Sequence, residues 1–98
     1  MWSPQACEAF LQHRVLELGY DDYSRWVEVH AVGISTAGHP VMRCWQVRGG
    51  SVSDELLGWK LMRLDDASGA FVTDEVSHAP RPGWQRGDKD MIRITCEV

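Results

Sequence analysis

Histidine and cysteine are the residue types in this sequence that bind metal ions most readily, so their spacing is the first test of its chemistry. The histidines are His13, His30, His39 and His78, and the cysteines are Cys7, Cys44 and Cys96. Nowhere do they form the Cys-x-x-Cys or His-x-x-x-His spacing that brings two ligands to one side of an element. The sequence therefore predicts no metal site, and it contains no cofactor motif.

The three cysteines are odd in number and widely spaced, so they cannot all pair within one chain. We expect buried, reduced thiols in a reducing compartment. Residues 1–5 lack the basic segment and apolar run of a secretory signal, and no apolar stretch is long enough to span a membrane. These features predict a cytoplasmic protein without a membrane partner.

Nucleophilic catalysis would need a thiol held beside an oriented base, and Cys44 or Cys96 with His30 is the available combination. Cys96 alternates with apolar residues, and Cys44 shares its side of a strand with Met42. Both positions predict packed, protonated thiols that do not react. Adjacent acidic residues fall in predicted turns, where carboxylates are solvated. We therefore expect no enzyme, and a thiol or hydrolytic enzyme using Cys44 and His30 is the third-ranked hypothesis.

Secondary-structure elements must position any site, and the chain length of 98 residues suits a single domain over residues 1–98. Ser3 and Pro4 predict a helix start, with the helix ending near His13 and a strand following to Tyr20. A helix continuing to Gly19 is the alternative. Further strands are predicted over residues 26–35, 41–48, 59–65, 70–73 and 91–98, with a flexible loop over 49–55 and a longer loop over 77–90.

Short strands without βαβ spacing predict a mainly β (α+β) fold with one N-terminal helix. The expected architecture is a small antiparallel half-open barrel or a strongly bent sheet. In the last strand, Ile92, Ile94 and Cys96 alternate with polar residues, which is typical of a strand with one buried side.

The side of the sheet opposite the core carries the most distinctive residues. If Met42 and Leu64 are buried, strand alternation turns four large side chains away from the core. These candidate ligand-binding residues are Arg43, Trp45, Trp59 and Arg63, with Lys60 and Arg48 as cations at the rim. Glu28 and His30 join them if Val27, Val29 and Ala31 are buried.

Tryptophan and arginine together suit stacking on planar groups and contact with anions. The alternative is that this side packs beneath the helix, the 77–90 loop or a second subunit. The net charge of −4 argues against broad, non-specific attraction to nucleic acid, although it leaves room for a local basic patch.

Two segments of the chain resemble the WYL domain. Residues 26–33 (WVEVHAVG) and 58–65 (GWKLMRLD) flank a hairpin, as do the V-E-P-Y-x-L and F-R-L-D-R-I patterns of that family. The likeness extends over roughly residues 14–75, with Val29 in place of the proline and Asp66 in place of a basic residue. It implies an SH3-like or Sm-like barrel of the kind found in bacterial transcription regulators, where the domain is thought to sense a nucleotide or nucleic acid. Of this chain's residues, it supports Arg63 as a ligand contact.

Taken together, these patterns favour a non-enzymatic ligand-binding or regulatory module. Its expected partner is a nucleotide, a single-stranded nucleic acid or another small anionic ligand, with bases stacking on tryptophan and arginine binding phosphate. The second hypothesis is a structural or protein-interaction domain that uses the same face as a homodimer interface.

Overall fold

The computed structural model describes residues 2–50 and 57–98. Within them the chain forms one α-helix, α1 (Ser3–Leu11), a 3₁₀ turn over Leu64–Asp66, and six strands: β1 (Arg14–Tyr20), β2 (Tyr23–Ser35), β3 (Pro40–Gly49), β4 (Gly58–Arg63), β5 (Gly69–Val76) and β6 (Met91–Glu97). The predicted mainly β fold with an N-terminal helix is confirmed. Most of the flexible loop predicted over 49–55 lies outside the described residues.

The helix is shorter than predicted, and the alternative of a helix continuing to Gly19 is wrong. The amide of Gln12 closes the last turn onto Glu8, and His13 adopts a positive φ of 55° that ends the helical path. A strand can therefore begin at once at Arg14. No helix in the part of the chain that the structure describes is long and apolar enough to cross a membrane.

The strands form an antiparallel sheet in the order β4-β3-β2-β1-β5, and β6 also pairs with β2. β1 pairs with β2 up to Val27, whereas β6 pairs with it from Ala31 onward. The long strand β2 thus pairs first with β1 and then with β6 on the same edge, and it bends between the two. The result is a small, barrel-like, half-open sheet with β4 and β5 at its ends.

The core lies between α1 and the inner face, which is the side of the sheet that carries Met42 and Met62. Two small helical residues, Ala6 and Ala9, are completely buried and let the helix approach the sheet closely. The sheet contributes Leu16, Leu18, Val27, Val29, Val32, Met42, Cys44, Met62 and Ala70, and the 3₁₀ turn after β4 contributes Leu64. Burying these aliphatic side chains is the main stabilising contribution to the fold.

A β-bulge at His30 changes which residues of β2 face the core. Val29 lies opposite Cys44 on the inner face, but the next paired residue, Ala31, lies opposite Arg43 on the outer face. Ala31 is buried in a second cluster with Val41 and Met91. Val27, Val29 and Ala31 are all buried, which was the condition for Glu28 and His30 to join the outer face. Ala31 is nevertheless buried on the opposite side from Val29, because the extra residue of a bulge shifts the alternation.

The expectation of three reduced thiols is also wrong. Cys7 of α1 and Cys96 of β6 form a disulfide with a Cα–Cα distance of 6.1 Å, across a sequence separation of 89. Cys44 is a free, buried cysteine. The odd number of cysteines left room for one pair, but only the docking of α1 beside β6 identifies its members.

Candidate functional site

The outer face is the side of the sheet that carries Trp45 and Trp59. These two residues lie directly opposite each other on β3 and β4, Arg43 lies opposite Leu61, and Arg63 lies opposite Val41. Since no bulge interrupts this pairing, all four predicted site residues are on one side of the sheet. Met42 and Met62, opposite each other on the other side, are buried in the core.

Residues 77–90, which we call the strap, cross the outer face between β5 and β6. The strap begins where the Ser77 amide donates to the His13 carbonyl. The His78 amide then donates to Glu28 Oε2 at 2.6 Å, and the Arg81 guanidinium forms a two-pronged ion pair with the Glu28 carboxylate. Glu28 is 1% exposed, and these contacts supply the partners that a buried carboxylate requires.

His30 holds the strap through a second contact. The Arg81 amide donates to His30 Nε2 at 2.9 Å, and His30 Nδ1 lies 2.9 Å from the Glu28 carbonyl. An amide N–H can only donate, so Nε2 is unprotonated and Nδ1 carries the hydrogen. Burial lowers the pKa of His30, against the opposing effects of its hydrogen bond to Glu28 and the Glu28 charge. The imidazole is therefore neutral at pH 7.

Aromatic rings fill the space between the strap and the sheet. Trp84 of the strap stacks on Trp59 with ring centroids 5.9 Å apart and an interplanar angle of 28°. Trp45 meets Trp59 edge-on at 5.3 Å, and His30 lies 4.7 Å from Trp59 and 5.2 Å from Trp84. Sequence analysis missed Trp84, although a tryptophan in an otherwise polar loop is a signal that the loop packs against something.

Arg43 fastens the far end of the strap. Its Nε donates to Asp88 Oδ2 at 2.7 Å and one terminal nitrogen donates to Asp90 Oδ2 at 2.7 Å. The hydrogen bond to Asp88 raises the pKa of Arg43, and the same bond lowers the pKa of Asp88. Sequence analysis did not identify either acidic residue as part of the site.

The other predicted cations lie away from this cluster. Arg63 pairs with Asp65 at 2.6 Å and with Asp66 at 3.7 Å. Arg48 pairs with Glu75 at 2.6 Å and lies over the Trp26 ring. Lys60 lies opposite Cys44, on the inner side of β4. The expectation that it is a rim cation beside the tryptophans on the outer face is therefore wrong.

A groove of about 360 Å³ opens between the outer face and the second half of the strap. Its walls are Arg43, Trp59, Gly83, Trp84, Gln85, Arg86, Gly87, Asp88, Lys89 and Asp90. Whereas the Trp84 indole nitrogen donates to the Val98 carbonyl, the Trp59 Nε1 has no acceptor among the described residues. Gly83 forms the wall beside this nitrogen with a positive φ of 93°, a backbone conformation that favours glycine.

The pairing of Cys44 with His30 as nucleophile and base is wrong. Cys44 faces the core on the inner face, while His30 stacks with tryptophans on the outer face. Burial raises the pKa of the Cys44 thiol to about 12, so it stays protonated at neutral pH. Within residues 2–50 and 57–98, no three histidine, cysteine or acidic side chains converge as a metal site.

Comparison with known proteins finds no matching family model, no matching curated protein and no matching solved structure.

Proposed function

We propose that the protein is a non-enzymatic binding module that holds a small anionic ligand with a planar ring, such as a nucleotide, in the groove beside Trp59 and Trp84. The observation that carries this proposal is the groove itself, in which the Trp59–Trp84 wall, with a Trp59 N–H that has no acceptor among the described residues, stands next to Arg43 and Lys89. Its volume of about 360 Å³ is within the range of small-molecule sites.

The charges around Arg43 support an anionic ligand. Asp88 is almost buried, with a side chain 7% exposed, whereas the Asp90 side chain is 49% exposed. Asp90 is therefore the weaker partner, because exposed ion pairs contribute little. A phosphate or carboxylate can replace Asp90 on Arg43 while Asp88 stays in place. Lys89 adds positive charge at the edge of the groove, whereas the charge of Arg86 is paired with Glu97.

The tryptophans are expected to contact the ligand by their edges and not by stacking face to face with its ring. Because Trp84 already stacks on Trp59, we propose that the ligand ring lies along the edge of this pair and accepts a hydrogen bond from Trp59 Nε1. The resemblance to WYL domains, with their suggested nucleotide sensing, supports the same class of function. A bacterial regulatory role in the cytoplasm belongs to this proposal as well, although the disulfide between Cys7 and Cys96 is more usual in an oxidising compartment.

Tryptophan fluorescence tests the proposal directly. Mono-, di- and triphosphate nucleosides and a short single-stranded oligonucleotide are titrated at low salt, where electrostatic contacts are least screened. We expect a saturable change that weakens in Lys89→Glu and remains in Arg48→Glu, a matched charge reversal outside the groove. A flat response up to millimolar concentration, or equal loss in the two variants, would overturn the proposal.

A second candidate function, a homodimer, is favoured by an exposed aromatic side chain. The strap covers the Trp45 and Trp59 side that was expected to form the interface, but Phe71 on the edge strand β5 is 67% exposed. Glu17 pairs with Phe71 on one side and with Trp26 on the other, so the two aromatic residues share the outer face. Sedimentation of Phe71→Glu beside the parent protein decides this, because a monomer at every concentration in both samples excludes the dimer.

A further inference from the structure

Two side chains of β2, Glu28 and His30, fasten the first half of the strap (residues 77–84), and of the two His30 is the one whose ordinary pKa, 6.5, is close to neutral pH. The Arg81 amide bonds to the unprotonated Nε2 of this imidazole at 2.9 Å. The bond is possible only while the ring is neutral, because a protonated ring has donors at both nitrogens. His30 belongs to β2 and Arg81 to the strap, so the bond joins the sheet to the segment that covers it.

The surroundings of His30 make protonation costly but not impossible. Two charged groups act on the ring: Glu28 on the same strand favours the charged imidazolium, and the Arg81 guanidinium on the strap opposes it. The rings of Trp59 and Trp84 lie on β4 and on the strap and contribute no charge. His30 is completely buried, and this loss of hydration is what disfavours its charged form most.

We propose that His30 is a pH-sensitive latch whose protonation detaches the first half of the strap from the outer face. A proton on Nε2 places two donors face to face, 2.9 Å apart in the closed form. Movement of the strap separates the two donors and takes Trp84 away from Trp59.

The second half of the strap stays attached under the same conditions. The hydrogen bond from Arg43 lowers the pKa of Asp88 from its ordinary value of 3.8, so this carboxylate remains ionised in weak acid. The ordinary pKa of His30 is 6.5 and burial lowers it. The strap is therefore fully attached above pH 6.5, and its first half detaches as the pH falls through the lowered pKa of His30. The Arg43–Asp88 pair keeps the other end of the strap attached, so the strap moves about this end.

Opening would widen the groove, because Trp84 and Gly83 form one of its walls. The role of the latch as a gate for a ligand rests on the proposed function, but the movement of the strap does not. Movement of the strap is therefore measured in the absence of ligand, so that a failure of the latch is distinguished from a failure of the proposed ligand binding.

The experiment follows the His30 ring nitrogens and the exchange of the Arg81 amide by NMR from about pH 8 to about pH 5, the range in which histidine titrates. We expect a neutral ring with hydrogen on Nδ1 at the upper end. At the lower end we expect protonation of Nε2 together with loss of protection at Arg81. His30→Gln keeps an acceptor for the Arg81 amide without a titrating group, so it retains protection, while His78→Asn, a control on the strap, behaves like the parent.

Two results would overturn the latch. One is protonation of His30 with the Arg81 amide still protected, and the other is the same loss of protection in His30→Gln. If His30→Gln does not fold, the measurement on the parent protein still decides, since coincident or separate titration of the ring and the amide is read from one sample.

Discussion

Arg43 and Asp88 form a hydrogen-bonded ion pair across the outer face although 45 residues separate them in the chain. Arg43 is on β3, between β2 and β4 in the sheet, and Asp88 is near the end of the strap. The Asp88 side chain is 7% exposed. The pair therefore fixes a long connection that has no regular secondary structure over residues 77–90.

Removing the charge of Asp88 is expected to destabilise the protein. Asp88→Asn leaves the half-buried Arg43 with a weaker partner and should lower the free energy of unfolding by about 2 kcal/mol, as for other charge-assisted hydrogen bonds. Asp90→Asn is the matched control, and its effect should be at most about half as large because Asp90 is exposed. Urea unfolding measures both, and equal losses in the two variants would contradict this assignment.

The disulfide predicts how many thiols of the protein react under native, denaturing and reducing conditions. In native protein Cys44 is buried and should not react with a thiol reagent; after denaturation without reductant one thiol per chain should react, and after reduction three. Replacing Cys7 and Cys96 together by serine should lower the free energy of unfolding by about 4 kcal/mol, given the length of chain that the disulfide closes. Three reactive thiols in denatured, unreduced protein would show that the disulfide is absent.

Gly33 is expected to be essential for the pairing of β2 with β6. A Cβ at this position would collide with the Arg93 carbonyl and crowd Met91, and a backbone atom within a sheet cannot move aside easily. Gly33→Ala should therefore separate β6 locally and expose the amides that pair it with β2. Gly69→Ala is the control, because its Cβ would meet only the Phe71 ring at an ordinary distance of 3.5 Å. Hydrogen exchange of the β6 amides distinguishes the two variants, and protected amides in Gly33→Ala would refute the collision.

Strand alternation was enough to place the tryptophans and arginines on one face. β3 and β4 pair without interruption, so the period of two holds from Arg43 and Trp45 to Trp59 and Arg63. The same rule failed for Ala31, because the β-bulge at His30 adds a residue that no local pattern announces.

The strap could be predicted as a loop, and as one of three alternatives for covering the outer face, but the sequence did not choose among the three. Its function in the fold depends on pairs far apart in sequence, such as Glu28 with Arg81 and Arg43 with Asp88. The composition of a loop shows that it is irregular, but it does not show which face the loop covers. The disulfide was missed for the same reason, since the proximity of Cys7 and Cys96 is a property of the tertiary structure.

The stability of the protein should fall in two stages as the pH is lowered. The pKa of His30 is lowered in the folded state, so the unfolded chain binds protons first and stability declines from about pH 6.5 downward until the folded ring titrates. The pKa of Asp88 is also lowered, so its contribution is present above its ordinary value of 3.8 and is lost as the pH falls through the lower value. Asp65 and Glu75 shift in the same direction, but they are paired at the surface, where ion pairs contribute little.

Two variants separate these stages. His30→Gln should remove the decline near pH 6 and keep the loss in strong acid, whereas Asp88→Asn should keep the first and reduce the second. Urea unfolding at a series of pH values provides the measurement. Stability that stays constant from about pH 8 to about pH 5 in the parent protein would contradict a buried neutral His30, because a group that is neutral when folded and charged when unfolded must make folding depend on pH in this range.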